Sequence, residues 1–272
     1  MTTPASFRLD HFYFGQLVQD GKAVREAVVL GASPGVKPEH VAECTQTALV
    51  PPLPRHPRGT WAILRAKFVA YLFVQTQIGE AGQVVAHFIL MPADVVRAYS
   101  GNLHSLMSLL HGQAPAFERP QERTMPIELA EPQPPDAGQQ TAAMLVLMSA
   151  TRDRIQTIET LLAGVISGTP VMIQGAPADL VERVRFIEGL QALLPPPARP
   201  GVTFTTYATR RRHLDAVINF YSDDEPPENA LVYRWHEDHT SGAHPTNDYA
   251  RYITSQLRLD TALVLEQTAA LT

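Results

Sequence analysis

Val171-Met172-Ile173-Gln174-Gly175-Ala176-Pro177-Ala178-Asp179-Leu180 is the stretch on which the fold of this chain turns. Four residues rich in β-branched and apolar side chains run into a glycine turn, and an apolar stripe follows at Leu180, Val184, Ile187, Leu190 and Leu194. Steps of three and four residues place that stripe on one side of a helix, which needs a sheet or another helix to cover it. Pro177 suits an early helical position, because its locked φ is already helical and its missing N–H has no partner there. Further strands are expected at Val202–Tyr207 and Ala216–Tyr221, so the order is strand, helix, strand: a βαβ unit.

Outward from this unit, Thr141 to Ile166 predicts one helix, with Met144, Met148, Ile155, Ile158, Leu162 and Val165 along its stripe and Gly168–Pro170 ending it. On the other side, Leu231–Trp235 predicts a strand and Asp248–Ala270 a closing helix capped by Asn247. That helix runs close to the last residue, which is compatible with a piece of a longer protein. Towards the N-terminus, Phe7 to Gly31 predicts a hairpin turning at Gln19-Asp20-Gly21-Lys22, since glycine accepts positive φ without a Cβ clash. Lys37–Thr47 predicts a short helix. Thr60 to Met91 predicts two or three strands around Gly79-Glu80-Ala81-Gly82, and two short helices are expected after Pro92 and at Leu103–Leu110. Residues 113–140 hold six prolines and few apolar side chains, the composition of a linker, although Ile127 and Leu129 suit a docked arm. The expected organisation is an N-terminal mixed or antiparallel α+β domain over residues 1–112, a linker over 113–140, and an α/β domain over 141–272. The class is α/β overall.

The chain has 272 residues, 45% hydrophobic and 18% charged, a globular composition with a lightly charged surface. A net charge of −5, from 22 Lys and Arg against 27 Asp and Glu, gives no general attraction for nucleic acid. The dense basic run Arg210-Arg211-Arg212 is expected as a surface for an acidic protein partner. One cysteine excludes a disulfide framework within the chain and any zinc site built on three or four thiolates. No secretory signal is recognisable and no apolar run reaches about 18 residues, so no membrane association is expected and the cytoplasm is the expected compartment.

Several groups bear chemistry. The Gly175 turn opens a helix, where unpaired N–H groups favour phosphate, but it lacks GxxxxGK[ST] and GxGxxG, and Asp179 already supplies negative charge there. His236, His239 and His244, with Glu237 and Asp238, are the densest potential metal ligands, yet no HExxH helix is present, and Gly242 and Pro245 mark a loop. Cys44 is a nucleophile only if His40 or His56 approaches it, and a cysteine in a short amphipathic helix more often packs inside. Asp223, Asp224 and Glu225 diverge along a turn. His87 lies in an apolar strand, where its ring either locks backbone or lines a pocket.

The opening His11-Phe12-Tyr13-Phe14-Gly15, the Gly31-Ala32-Ser33 after the hairpin, and Gly79-Glu80-Ala81-Gly82-Gln83-Val84-Val85-Ala86-His87-Phe88-Ile89-Leu90 resemble the N-terminal domain of bacterial GTPase-associated proteins. Leu193-Leu194-Pro195 and Val202-Thr203-Phe204-Thr205-Thr206-Tyr207 resemble the middle region that follows it in that family. Together these matches span most of residues 7 to 225. The resemblance implies an accessory or adaptor protein beside a bacterial GTPase, in a defence or signalling system, with no settled activity of its own. It assigns Gly15, Ser33, Gly82 and His87 only structural or interface roles, and no GTPase residues. Where the family's turn carries arginine after its first glycine, this chain has Glu80, a charge reversal that weakens any anion-binding role. The expected function is a non-enzymatic adaptor or scaffold that binds a protein partner, without cofactor. The alternative is a metal- or nucleotide-dependent hydrolase using the late histidines or the Gly175 turn.

Overall fold

Asp20 and Gly21 hold φ of 50° and 72°, the pair of left-handed residues that a two-residue hairpin turn requires. They join β2 (His11–Gln19) to β3 (Lys22–Ala32), with Gln19 opposite Lys22. The computed structural model describes residues 7–48, 59–108, 115–121, 123–129, 131–209, 215–222 and 225–271. The chain forms two compact units, one of residues 1–96 and 107–132, the other of residues 97–106 and 133–272.

In the first unit, strands run in the order β4 (Thr60–Arg65), β5 (Tyr71–Ile78), β6 (Val84–Met91), β2, β3, each antiparallel to its neighbour. Phe12 stacks on Phe88 across β2 and β6, with ring centroids 4.7 Å apart. The helix α1 (Pro38–Thr47) buries Cys44; the helices after β6, α2 (Ala93–Tyr99) and α3 (Leu103–Ser108), are divided between the units, with residues 97–106 belonging to the second. β1 (Phe7–Leu9) pairs with β7 (Ile127–Leu129). Much of the expected linker is therefore an arm docked on this unit. Phe117 is buried beside Leu30 and Val85, Gln121 N–H donates to Leu30 O at 2.7 Å, and Thr124 N–H donates to Ala32 O at 3.0 Å. Its few apolar side chains suffice because main-chain bonds to strands carry the rest.

In the second unit, β9 (Phe204–Ala208), β10 (Ile218–Tyr221), β8 (Val171–Gln174) and β11 (Leu231–Arg234) are parallel neighbours in that order, and β12 (His239–Gly242) adds antiparallel to β11. The expected strand–helix–strand unit is present with one difference: β10 lies between β8 and β9, so α6 (Leu180–Ala192) carries the chain past one strand. Val171, Ile218 and Leu231 share one register and thus one face, with Phe220 and Tyr233 two residues on. Phe186 of α6 packs on Phe220 and Tyr233 with centroids 6.3 Å away. On that same face, a methyl added to Gly164 of α5 (Ile155–Ser167) would meet Val171 and Leu231 at 3.0 and 3.1 Å. The opposite face carries Met172, Tyr221 and Val232, clustered with Ala208 and Ala230.

Four expectations are corrected. The single helix over 141–166 is two, α4 (Ala137–Ala150) and α5, broken where Arg152 and Asp153 take φ of 49° and 59°. The closing helix is likewise α7 (Asp248–Leu257) and α8 (Thr261–Ala269), because Asp260 caps a new start by accepting from Ala262 N–H at 2.9 Å; Asn247 caps α7 as expected. Pro177 lies before α6 rather than inside it, since Asp179 is the cap and accepts from Val181 N–H at 2.8 Å. The segment after His236 is not only loop: it contains β12.

Candidate functional site

Period two along β2 and β6 puts His11, Tyr13 and His87 on one side of the first unit's sheet. His11 Nδ1 lies 2.8 Å from His87 Nε2, and His11 Nε2 lies 2.7 Å from Met125 O. A carbonyl only accepts, so His11 Nε2 carries the proton, and in the neutral pair His87 Nε2–H donates to His11 Nδ1. Tyr13 stacks on His87 at 4.2 Å. Burial, then the neighbouring His11, lowers the His87 pKa from 6.5 to about 3. Beneath the pair, His11 N–H donates to Ser33 Oγ at 2.9 Å, and Ser33 Oγ–H and Gly35 N–H both donate to Asp10 Oδ1, at 2.7 and 3.1 Å. These groups hold main chain: the array ties the arm at Met125 and the β2–β3 crossing at Ser33. His11 and Asp10 carry the array, and sequence assigned neither a role. The two-residue spacing of His11, Tyr13 and Gly15 signals a shared strand face, whereas nothing local to Asp10 announces its bonds to Ser33 and Gly35.

Gly15 and Gly82 have structural uses. A methyl on Gly15 would fall 2.1 Å from Val84 O. Gly82 turns at φ 74°, and Gly79 N–H donates to Gln83 O at 2.8 Å while Ala81 N–H donates to Gln83 Oε1 at 3.0 Å. Gln83 thus closes the glycine turn, and exposed Glu80 brings negative charge beside it.

In the second unit, an open cleft of about 570 Å³ lies at the carboxyl ends of β8 and β11, where parallel sheets usually place ligands. Asp179, Glu182, Arg152, Arg185, Trp235 and His236 line it. Two carboxylates at the start of α6 oppose a phosphate at that position. The His236 ring also stands against the Gly175 turn, where an added methyl would meet Cδ2 at 3.0 Å. Behind the turn, Arg183 donates to Thr206 O at 2.5 Å, Pro177 O at 2.6 Å and Ala176 O at 3.3 Å, and covers the Phe220 ring at 5.2 Å. Burial lowers its pKa to about 10, so it stays charged at neutral pH. Arg183→Met removes the bonds that Arg183 gives to three carbonyls and is expected to cost about 2–4 kcal/mol in urea unfolding. A loss below about 1 kcal/mol would show that this staple is dispensable.

The α4–α5 corner fixes the β11–β12 turn. Arg152 donates to His236 O at 2.6 Å, Arg154 Nε lies 2.8 Å from Asp238 Oδ2, and Tyr233 Oη–H donates to Ala150 O at 2.8 Å. The Arg154 contact is ionic rather than well aligned, since Oδ2 has no hydrogen bond of good geometry. His236, His239 and His244 are not brought together: among the described residues, no group of three or more His, Cys, Asp or Glu is placed to hold a metal. Cys44 is buried, and burial first, then Glu43, pushes its thiol up to about 12, the opposite of an activated nucleophile. His40 Nδ1 accepts from Lys37 N–H at 3.2 Å at the start of α1. Glu225 O accepts from Tyr221 Oη–H at 3.0 Å. Arg210, Arg211, Arg212, Asp223, Asp224 and His56 lie outside the described residues. Among the described residues, no helix is long and apolar enough to cross a membrane. Comparison with protein-family models and with curated proteins finds no match to the chain.

Proposed function

We propose that the chain is a non-enzymatic adaptor that takes up an extended segment of a protein partner along the open edge of β3. Following the resemblance, the partner is a GTPase of a bacterial defence or signalling system and the compartment is the cytoplasm. The supporting observation is the edge itself. β3 ends the strand order of its unit, and among the described residues Lys22 to Val29 have β2 on one side and no strand on the other. Five of these eight residues are Ala or Val, and only Lys22, Arg25 and Glu26 are charged. Lys22, Arg25, Glu26 and the register shift between Gln16 and Val18 blunt the turn end of this edge, which leaves Ala27 to Val29, in regular register with Gln16 to Phe14, as its open stretch. An unpaired edge invites pairing, and strand addition is a common mode of peptide recognition. The chain already uses the far end of β3 in this way: the arm bonds to Leu30 O and Ala32 O through Gln121 and Thr124.

A photocrosslinking residue in place of exposed Ala27, introduced in native cells, is expected to trap one reproducible GTP-binding protein. The same residue in place of Glu80, exposed in the same unit, is expected to trap none. Equal trapping at both positions, or none at Ala27, would count against the edge as the docking site.

A further inference from the structure

A second hollow, of about 280 Å³, lies wholly within the second unit, between the segment leading into α3 and the helices α4 and α6. Arg199 lines it and is 3% exposed. Its Nε donates to Leu194 O at 3.0 Å, Nη1 to Ser100 O at 3.4 Å and Nη2 to Gln140 Oε1 at 2.8 Å. All three acceptors are neutral, and two of the five guanidinium hydrogens are left over. Burial lowers its pKa to about 10, with Tyr249 acting the other way, so the group is cationic at neutral pH.

Glu188 lines the same hollow, with Oε1 accepting His104 N–H at 2.7 Å. Burial raises its pKa, against the opposing pull of the His104 and Leu103 N–H groups and Arg185. Among the described residues, no ion pair joins it to Arg199. Gln191, 3% exposed, turns Nε2 towards Arg199 O at 3.4 Å and leaves Oε1 buried without a donor. The acceptor at Arg199 O sets that orientation, since a flipped amide would oppose two oxygens. Gly101 stands where these groups meet: a methyl there would lie 3.1 Å from Gln191 Oε1 and 3.3 Å from Arg199 Cδ.

A buried cation, a carboxylate not paired with it and an orphaned acceptor around one hollow are complemented by a molecule with both charges. We propose that this cavity binds a small α-amino acid. Its carboxylate meets the free N–H groups of Arg199, and its ammonium donates to Gln191 Oε1 and Glu188. Pro135, Ala142, Ala143 and Ala192 leave an apolar wall for a small side chain. The volume falls just below the roughly 300–1,000 Å³ of pockets for drug-sized ligands, which suits such a ligand. This site is independent of the edge of β3.

The test uses the full chain with glycine, L-alanine, L-serine and L-threonine at millimolar concentration, and acetate and methylamine as the two half-molecules. At least one amino acid is expected to raise the unfolding midpoint saturably and to titrate calorimetrically to a single site, with neither half-molecule doing so. Gln191→Met is expected to weaken that binding about tenfold. Ala142→Phe, on the exposed wall of the cavity, is expected to abolish it while the unliganded midpoint changes little, which keeps the test decisive if Gln191→Met folds poorly. The proposal is overturned if none of the four amino acids binds, if acetate alone binds as well as they do, or if both variants bind like the parent.

Discussion

Gly15→Ala is expected to disrupt the first unit, lowering its stability by at least about 3 kcal/mol. β2 is the inner strand of this region, paired with β3 on one side and β6 on the other, and Gly15 stands opposite Val85. A methyl at that position would lie 2.1 Å from Val84 O and 2.9 Å from Val85 Cα, both main-chain atoms. Flexible side chains move aside cheaply, whereas these atoms move only if β2 separates from β6. That separation would also pull His11 and Tyr13 away from His87, and Phe12 away from Phe88. The two tryptophans make the effect local to read, because Trp61 is on β4 and Trp235 follows β11. In a Trp235→Phe background, the urea transition reported by Trp61 fluorescence should move by the full amount. A shift below about 1 kcal/mol would mean that the strands part more easily than this packing implies.

Acid should weaken the same unit through His87. Its folded pKa is lowered from 6.5 to about 3, first by burial and then by His11, so the unfolded chain takes up a proton that the folded chain refuses. The sign follows: this stability is fully present above about pH 6.5 and is lost as pH falls towards about 3. The loss approaches ~1.4 kcal/mol per pH unit for one proton. Among the described residues, the titratable groups facing His87 are His11, which accepts its Nε2–H hydrogen bond, and Tyr13, stacked on its ring. His87→Gln keeps an N–H donor for His11 Nδ1 but cannot titrate. It is expected to be less stable than the parent at neutral pH and to show a flatter decline between pH 7 and 5, measured by urea midpoints. Parallel declines in the two proteins would assign the acid sensitivity elsewhere.

Local chemistry made much of this fold legible. Asp20-Gly21 announced the first hairpin, Gly79 to Gly82 the next tight turn, and the stripe from Leu180 to Leu194 the helix across the parallel strands. Strand order was not legible, because nothing local to Ile218–Tyr221 says that β10 inserts between β8 and β9. The break after α4 was hidden for a different reason. Thr151-Arg152-Asp153 contains no glycine or proline, and Thr151 Oγ1–H bonds back to Leu147 O at 2.9 Å as it would in a continuing helix. The break is held by distant partners: Arg152 on His236 O and Arg154 on Asp238. Arg183 and Arg199 were hidden in the same way. Within their own segments they read as solvated charges, and only the fold brings carbonyls from other elements around each guanidinium. The late histidines stay apart although they are close in sequence, because only His239 lies on β12, while His236 sits in the turn before it and His244 in the segment after it.

Amide hydrogen exchange on the complex is the decisive measurement for the proposed docking of a partner along β3. With the crosslinked partner purified and mixed with the intact chain, amides within Ala23–Val29 are expected to exchange markedly more slowly than in the chain alone, while those of α7 and α8 stay unchanged. Unchanged exchange along β3, with protection appearing only elsewhere in the chain, would contradict it.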